Sequence, residues 1–275
     1  MTGARNEPRW PNLIVPGTQK GGTTWLHFTL KRHPQVFMSS PKELFYWGQP
    51  GWDTPEARRD YRAHFAIGDE VENVSDDVAY WGESTTNYLW HRDPASAYSP
   101  QDGVDAAAAL GRTLGDEVVV LVMLRNPIDR ALAGAQHHLT MGRIDTGDDL
   151  FDADPELGII DLGFYRRHLE HWRSLIAPSR VRVYLFDDLE ADPPALFERV
   201  LSDLQLDPNR MPKSQWRMVH KVSNSREELQ ERTGNAASLT VSEATIRQLS
   251  DLYADDVAYV EEMLGRSLDS WRVAS

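Results

Sequence analysis

Three short apolar runs along the chain predict buried β-strands. They cover residues 12–15, 117–124 and 181–186. The second run reads EVVVLVML and is almost uniformly apolar and β-branched, as expected of a strand that is covered on both faces of a parallel sheet. We therefore predict that this strand lies near the centre of the sheet.

Stretches with helical periodicity alternate with these runs. They cover residues 24–32, 129–141, 194–204 and 242–264. The last stretch begins with Ser242 and Glu243, a pair that is typical of a helix N-terminus. Because strands alternate with helices, the sequence predicts an α/β fold of three layers, in which helices flank a central, mostly parallel sheet.

Polar segments between the predicted elements indicate surface loops. They are rich in Asp, Gly, Pro and Ser and cover residues 49–61, 93–102 and 145–157. The chain of 275 residues is 41% hydrophobic, which is enough for one large core, so residues 1–275 are predicted to form a single domain. Residues 1–11 have no continuous apolar segment and are predicted to be a flexible N-terminus. They resemble neither a signal peptide nor a membrane anchor, so we expect a cytoplasmic protein with no membrane contact.

Charge and cysteine content exclude several classes of function. Forty-two acidic residues against 29 basic ones give a net charge of −13, which disfavours nucleic acid as a partner. A small, neutral or weakly charged partner fits better. The absence of cysteine excludes disulfides and thiolate chemistry, and the spacing of the nine histidines predicts no metal site.

A glycine-rich segment between the first strand and the first helix is the strongest chemical signal. It reads GTQKGGTT at residues 17–24, and at such a place backbone N–H groups converge on an anion at the helix N-terminus. The spacing approaches the pattern G-x-x-x-x-G-K-[ST], so we predict a P-loop-like fold, but Thr23 replaces the usual lysine. Lys20 lies inside the loop instead, and no Asp-tipped strand is available to hold magnesium, so a metal-independent transfer is expected.

The residues of this loop are the predicted phosphate contacts. They are Thr18, Gln19, Lys20, Gly21, Gly22, Thr23 and Thr24. The alternative is an ordinary glycine-rich turn that carries a solvated lysine.

Two segments together resemble a known family. Residues 16–26 are similar to the 5′-phosphosulfate loop of sulfotransferases that use 3′-phosphoadenosine-5′-phosphosulfate (PAPS). Residues 124–131, LRNPIDRA, follow the predicted central strand and resemble the 3′-phosphate motif of that family, R-[ND]-P-x-x-R. The resemblance implies that Arg125 binds the 3′-phosphate. Arg130 could contact the nucleotide or form a salt bridge on the helix face.

This resemblance implies transfer of a sulfuryl group from PAPS to a hydroxyl or amine of a small-molecule or carbohydrate acceptor, with PAP as the second product. One position departs from the family: Ala133 stands where a serine usually contacts the 3′-phosphate. Candidates for a replacement contact lie in the polar segment 220–226, at Lys221, Ser225 and Arg226. A solvated linker is the alternative for this segment.

The segment PKELFYW at residues 41–47 is similar to the part of heparan-type sulfotransferases that carries a glutamate base. The resemblance implies that Glu43 is the general base, with Lys20 stabilising charge on the leaving phosphate. A solvated Lys42–Glu43 ion pair is the alternative. Trp47 could line the acceptor site or pack in the core.

Residues 83–88, ESTTNY, resemble the family segment E-K-T-P-x-Y, with Ser84 in the place of the lysine. Glu83 and Thr85 are candidate acceptor contacts, although core packing explains them equally well. His91 is a second candidate for the base. The C-terminal LGRSLDSW resembles the closing G-R-x-x-x-W of carbohydrate sulfotransferases, so the similarity extends from about residue 12 to residue 271.

Two other functions remain open from the sequence. An ATP-dependent phosphotransferase is disfavoured by Thr23 and by the motif that begins at Arg125, and magnesium-dependent ATP binding would reveal one. A catalytically inactive protein that binds PAP or PAPS is suggested by Ala133 and Ser84, but Lys20 and Glu43 argue against it.

Overall fold

The centre of the structure is a five-stranded sheet in which every strand is parallel to its neighbours. The computed structural model describes residues 7–68, 71, 74–220 and 237–272. The strands are β1 (Leu13–Val15), β2 (Val36–Met38), β3 (Tyr80–Ser84), β4 (Val119–Leu124) and β5 (Val181–Leu185). Their order across the sheet is β2-β3-β1-β4-β5, which confirms the predicted α/β fold with a parallel sheet.

Helices connect the strands. They are α1 (Thr23–Leu30), α2 (Pro55–Ala63), α3 (Ala106–Leu114), α4 (Pro127–Thr140), α5 (Tyr165–Leu175), α6 (Phe186–Ala191), α7 (Pro193–Asp203), α8 (Lys213–Trp216), α9 (Glu243–Leu252) and α10 (Ala254–Leu264). Short 3₁₀ turns occur at Gly115–Glu117, Pro155–Leu157, Asp161–Gly163, Pro178–Arg180, Pro208–Arg210 and Asp269–Trp271. No helix in the described ranges is both long and apolar enough to cross a membrane.

The sheet is buried on both faces, as the apolar run at 117–124 predicts. Because side chains alternate along a strand, Val120 of β4 packs with Trp172 of α5 in one apolar cluster. Leu121, the next residue, packs with Leu26 of α1 and Phe197 of α7 in the other. Helices therefore cover both faces, and the three-layer arrangement is confirmed.

Two strands were absent from the sequence-based prediction, β2 because it is short and β3 because it is partly polar. Strand β2 has only three residues, and β3 ends in Gly82, Glu83 and Ser84, of which the last two are polar yet buried. A Cβ atom at Gly82 would lie 2.6 Å from the sulfur of Met38 on β2, so the glycine permits close strand contact.

Two predicted boundaries were wrong. The segment 49–61 is not entirely loop, since Thr54 caps helix α2 by accepting a hydrogen bond from the backbone N–H of Ala57. The helix predicted at 242–264 is divided at Tyr253, whose buried hydroxyl donates to the carbonyl of Ile160 at 2.7 Å. This tether separates α9, which packs on α4, from α10, which packs on α5.

Candidate active site

The loop between β1 and α1 lies at the carboxyl edge of the sheet. The N–H of Thr18 donates to the carbonyl of Met123 at 2.8 Å, and the N–H of Met123 donates to the carbonyl of Gly17 at 2.9 Å. These bonds hold the start of the loop beside β4. A Cβ atom at Gly21 would lie 2.6 Å from the carbonyl oxygen of Met123, so this close approach requires glycine.

The loop ends at the N-terminus of α1, which is open to an anion. Gly22 is the N-cap residue of the helix, with a φ of 94°. As a glycine it has no side chain that could accept hydrogen bonds from the N–H groups of the first turn. The first turn contains no acidic residue. Backbone N–H groups and the positive end of the helix dipole therefore point towards the loop, which is the arrangement expected of a phosphate site.

Lys20 projects from this loop with a φ of 67°, in the left-handed region. Burial lowers the pKa of Lys20 to about 8, against the opposing effect of Glu43, while Arg125 and Lys42 lower the pKa further. No carboxylate of the described residues lies within salt-bridge distance of its ammonium group. Glu43 and Arg125, predicted from separate motifs, thus act electrostatically on the same lysine.

Arg125 leaves the carboxyl end of β4, next to the loop. Its guanidinium carbon lies 4.6 Å from the ring centroid of Phe186, and the hydroxyl of Tyr165 donates to its carbonyl at 2.6 Å. Within the described ranges, its guanidinium has no carboxylate at salt-bridge distance. The Arg125 guanidinium therefore packs on the Phe186 ring, and its charge remains available to bind an anion.

Helix α4, which follows Arg125, presents one face to the phosphate loop. Arg130, Gly134 and His137 share this face at spacings of four and three residues. A Cβ atom at Gly134 would lie 3.6 Å from both Nη1 of Arg130 and Oε1 of Gln19. Burial lowers the pKa of His137 to about 4, and the charge of Lys20 lowers it further. His137 is therefore an additional candidate site residue, which the sequence did not reveal.

Several buried polar atoms around this loop have no hydrogen-bond partner among the described residues. They are Oγ1 of Thr18, Oε1 of Gln19, Nε and Nη1 of Arg130 and Nδ1 of His137. Arg130 is fully buried, and its Nη2 donates to the carbonyl of Ile159. These donors and acceptors beside the N-terminus of α1 suit a polar ligand.

Glu43 lies in the segment that follows β2, beside the carboxyl end of β3. Its N–H donates to the carbonyl of Ser84 at 2.9 Å, and the next N–H, from Leu44, donates to the hydroxyl of Thr85 at 3.1 Å. The Lys42 ammonium lies 2.6 Å from Oε1 of Glu43. The predicted ion pair exists, yet the Glu43 side chain remains 34% exposed and accessible to an acceptor.

A buried hydrogen-bond network around Glu83 supports the segment that carries Glu43. Glu83 is fully buried and accepts from the hydroxyls of Tyr61 and Thr85, and the indole N–H of Trp47 donates to Tyr61 at 3.0 Å. Burial raises the pKa of Glu83 to about 7. Trp47, Glu83 and Thr85 have no exposed surface for an acceptor. The structure thus favours core packing, the alternative that the sequence left open for each of them.

His91 lies in a different cluster. Its ring stacks on His171 with centroids 3.7 Å apart, and its Nδ1 lies 3.9 Å from a carboxylate oxygen of Asp105. The charged groups that act on His91 do not include Lys20 or Glu43. This placement favours Glu43 as the base near Lys20.

Lys221, Ser225 and Arg226 lie outside the described residues. On one side of this segment, the indole N–H of Trp25 in α1 donates to the carbonyl of Val219 at 2.7 Å. On the other side, the amide of Gln136 in α4 donates to the carbonyl of Ala237 at 2.9 Å. The proposed contacts of the three residues with the 3′-phosphate stay a prediction.

Comparisons with known proteins identify similar chains. The family model described as the sulfotransferase family matches residues 11–210. Membrane-associated sulfotransferase kil1 of Dictyostelium discoideum is 31% identical over 131 residues, which are 48% of this chain and 23% of that protein. The bifunctional heparan sulfate N-deacetylase/N-sulfotransferase 2 of Homo sapiens is 24% identical over 213 residues, which are 73% of this chain and 22% of that protein.

The chain thus spans less than a quarter of the length of either curated relative. Among solved structures, a sulfotransferase from Alicyclobacillus acidocaldarius superposes with a TM-score of 0.67 at 19% identity. The superposition covers 96% of this chain and all of that one, so the two share a fold.

Proposed function

Because this chain belongs to the sulfotransferase family, we propose that it transfers a sulfuryl group from PAPS to a hydroxyl or amine and releases PAP. One observation carries the proposal. Lys20 follows β1, Arg125 follows β4, and the N–H of Glu43 donates to the carbonyl of Ser84 at the end of β3, so three separate segments meet at the carboxyl edge of the sheet. We assign to them a leaving-group cation, a second phosphate-binding cation and a base, respectively.

The position of this cluster in the sheet also supports nucleotide binding. Strand β1 connects to β2 on one side, whereas β4 connects to β5 on the other. In open α/β sheets, ligands bind where neighbouring strands connect in opposite directions, at the carboxyl ends of those strands. The phosphate loop follows β1 and Arg125 follows β4, so both flank this crevice.

The residues present suit PAPS. Residues 18–24 would hold its 5′ end through the N–H groups that the loop's own hydrogen bonds do not use, and the side chains of Thr18, Gln19 and Arg130 would provide further polar contacts. Arg125 would bind the 3′-phosphate, with Lys221, Ser225 and Arg226 as the proposed additional contacts. When bound, PAPS supplies an activated sulfuryl group whose leaving group is a phosphate.

In the reaction, the protein's own residues accept a proton from the acceptor and stabilise charge on the leaving group. Glu43 takes the proton that the acceptor loses as its oxygen or nitrogen becomes the nucleophile. The Lys20 ammonium offsets negative charge that develops on the leaving phosphate, in a half-buried place where such charge stabilisation is strong. Neither role requires a metal ion, in line with the metal-independent transfer proposed from the loop sequence.

For the acceptor, we propose a small molecule or a carbohydrate. Phe45 is 40% exposed two residues after Glu43 and offers an apolar surface beside the base. The heparan sulfate N-sulfotransferase activity in the name of one relative supports a glycan amine or hydroxyl. The net charge of −13 favours an acceptor with little negative charge of its own.

Incubation with sulfur-labelled PAPS and a panel of phenols, alcohols, amino sugars and oligosaccharides tests the proposal. We expect labelled product and PAP in equal amounts with at least one acceptor. Tight PAP binding without transfer to any acceptor would support the inactive nucleotide-binding alternative. Magnesium-dependent binding of ATP in preference to PAP would support a phosphotransferase.

The affinity for PAP should fall as the pH rises through about 8. Burial lowers the pKa of Lys20 to about 8, so the free protein carries the ammonium charge below that pH and loses it above. Above this value, binding must take up a proton, and the Kd should rise by roughly tenfold per pH unit. Calorimetric titrations of PAP at several pH values measure this slope. The slope should disappear in Lys20→Ala, and a flat wild-type profile would contradict the role of Lys20 in binding.

Ala133→Ser should raise PAP affinity. Ala133 is half-buried on α4, directly before Gly134, whose Cβ position faces Gln19 of the loop. A new hydroxyl hydrogen bond to the 3′-phosphate contributes about 1 kcal/mol, or roughly a fivefold tighter Kd. Calorimetry would measure it. An unchanged Kd would mean that another residue already fills this contact.

A further inference from the structure

His91, Asp105 and His171 form a cluster that the transfer reaction does not use. Their ligand atoms all lie within 4.8 Å of one another, and each residue is half-buried. The residues come from three elements: the segment after β3, the N-terminus of α3, and α5. Both histidines line a cleft of about 670 Å³.

His171 and Asp105 form an ion pair within this cluster. Nε2 of His171 lies 2.8 Å from Oδ2 of Asp105. Two ligands of one ion, each about 2.0–2.2 Å from a zinc ion, also lie side by side, roughly 3 Å apart. Nδ1 of His91 lies 3.9 Å from the same oxygen.

Neighbouring contacts position two of the three residues. Oδ1 of Asp105 accepts from the N–H of Ala108 at 2.9 Å as the cap of α3, which leaves Oδ2 for the cluster. The backbone N–H of His91 donates to Nδ1 of His168 at 3.2 Å. Such outer contacts orient metal ligands before the ion arrives.

We propose that His91, Asp105 and His171 bind one Zn²⁺ ion, or a transition-metal ion of similar preference, at a site separate from the transfer site. Two imidazoles and one carboxylate form a donor set that suits zinc, whereas magnesium and calcium prefer oxygen ligands. The described residues provide three protein ligands, so a fourth position faces the cleft and takes water. The positions of the ligands, at 91, 105 and 171, explain why histidine spacing along the sequence predicted no such site.

A bound ion would stabilise the segment that follows β3 and contacts the phosphate loop. The segment that leads to His91 already contacts α5, since the indole N–H of Trp172 donates to the carbonyl of Tyr88 at 3.2 Å. It also contacts the loop, since the N–H of Leu89 donates to the carbonyl of Pro16 at 2.8 Å. The ion would add a link from this segment to α3 and α5.

Zinc titration of the full chain, tag-free and first treated with a chelator, tests the proposal. We expect one zinc per chain by metal analysis and calorimetry. At a hundredfold excess over its Kd, zinc should raise Tm by roughly 5–10 °C. His171→Ala should weaken zinc binding by more than roughly 100-fold. Asp105→Asn, which keeps the helix cap, should weaken it by roughly tenfold or more. His64→Ala, at an exposed histidine, is the matched control and should bind zinc like wild type.

Absence of saturable zinc binding by the wild type would overturn the proposal. So would one zinc per chain with unchanged affinity in both His171→Ala and Asp105→Asn. If His171→Ala does not fold, Asp105→Asn and the visible spectrum of the cobalt-substituted wild type decide, because histidine and carboxylate ligands in a four-coordinate site give intense cobalt bands. A spectrum identical to that of aqueous cobalt would contradict the site.

Discussion

Glu43→Gln is expected to reduce turnover by roughly 10²–10⁴-fold while PAP affinity stays within a few-fold of wild type. The substitution keeps the shape of the side chain and the two backbone hydrogen bonds that hold the segment, from Glu43 to Ser84 and from Leu44 to Thr85. It removes the proton acceptor and, with it, the ion pair to Lys42. Steady-state rates with PAPS and calorimetry with PAP separate the two effects.

The defect of Glu43→Gln should grow with the pKa of the acceptor. A phenol of low pKa arrives partly ionised and needs little help from a base, whereas an aliphatic alcohol needs nearly all of it. Lys42→Gln is the matched control, because it breaks the same 2.6 Å ion pair and leaves the carboxylate in place. Its effect should be small, as is usual for partly exposed pairs. A near-normal rate of Glu43→Gln with an aliphatic acceptor would remove Glu43 from the mechanism and make His91 the next candidate.

Lys20→Ala should impair both PAPS binding and the transfer rate, and it should do so with every acceptor. Its ammonium is the half-buried charge that faces Glu43 and Arg125, and removal of a charge aimed at a leaving group typically costs roughly 10²–10³-fold in rate. In contrast to Glu43→Gln, the rate defect should not depend on acceptor pKa. Rates with a phenol and an aliphatic alcohol, together with the Kd of PAP, distinguish the two variants.

Lys31→Ala provides the control for Lys20→Ala, since Lys31 is an exposed lysine at the end of α1. It should change neither rate nor affinity beyond a few-fold. A Lys20→Ala protein that binds PAP as tightly as wild type and turns over normally would show that the loop lysine is a solvated side chain. Residues 17–24 would then be interpreted as an ordinary glycine-rich turn.

The phosphate elements could be predicted because their signals are local. The loop at 17–24 and Arg125 each follow a strand directly, and parallel strands bring such residues to one edge of a sheet. Gly21 is required by its close approach to Thr18 within the loop and to Met123 of β4. For these elements, the local sequence and the three-dimensional fold indicate the same phosphate site.

The supporting residues could not be predicted because their roles depend on contacts between distant segments. The sequence left acceptor contact and core packing open for Glu83 and Trp47, and the hydrogen bonds through Tyr61 place both in the core. His137 gains its place only once the face of α4 that meets the loop is known. Tyr253 divides the last helical stretch through a tertiary hydrogen bond to Ile160, which helical periodicity does not reveal.

Calorimetric comparison of PAP and ATP tests the central claim most directly, since it needs no knowledge of the acceptor. Because Arg125 supplies a cation for a 3′-phosphate that ATP lacks, PAP should bind more tightly than ATP, with or without magnesium. Arg125→Ala should cost PAP about 2–3 kcal/mol, the value of a charge-assisted hydrogen-bonded pair, and leave adenosine 5′-phosphosulfate nearly unaffected. Tighter binding of ATP than of PAP, or equal losses for PAP and adenosine 5′-phosphosulfate in Arg125→Ala, would contradict the assignment of this site to PAPS.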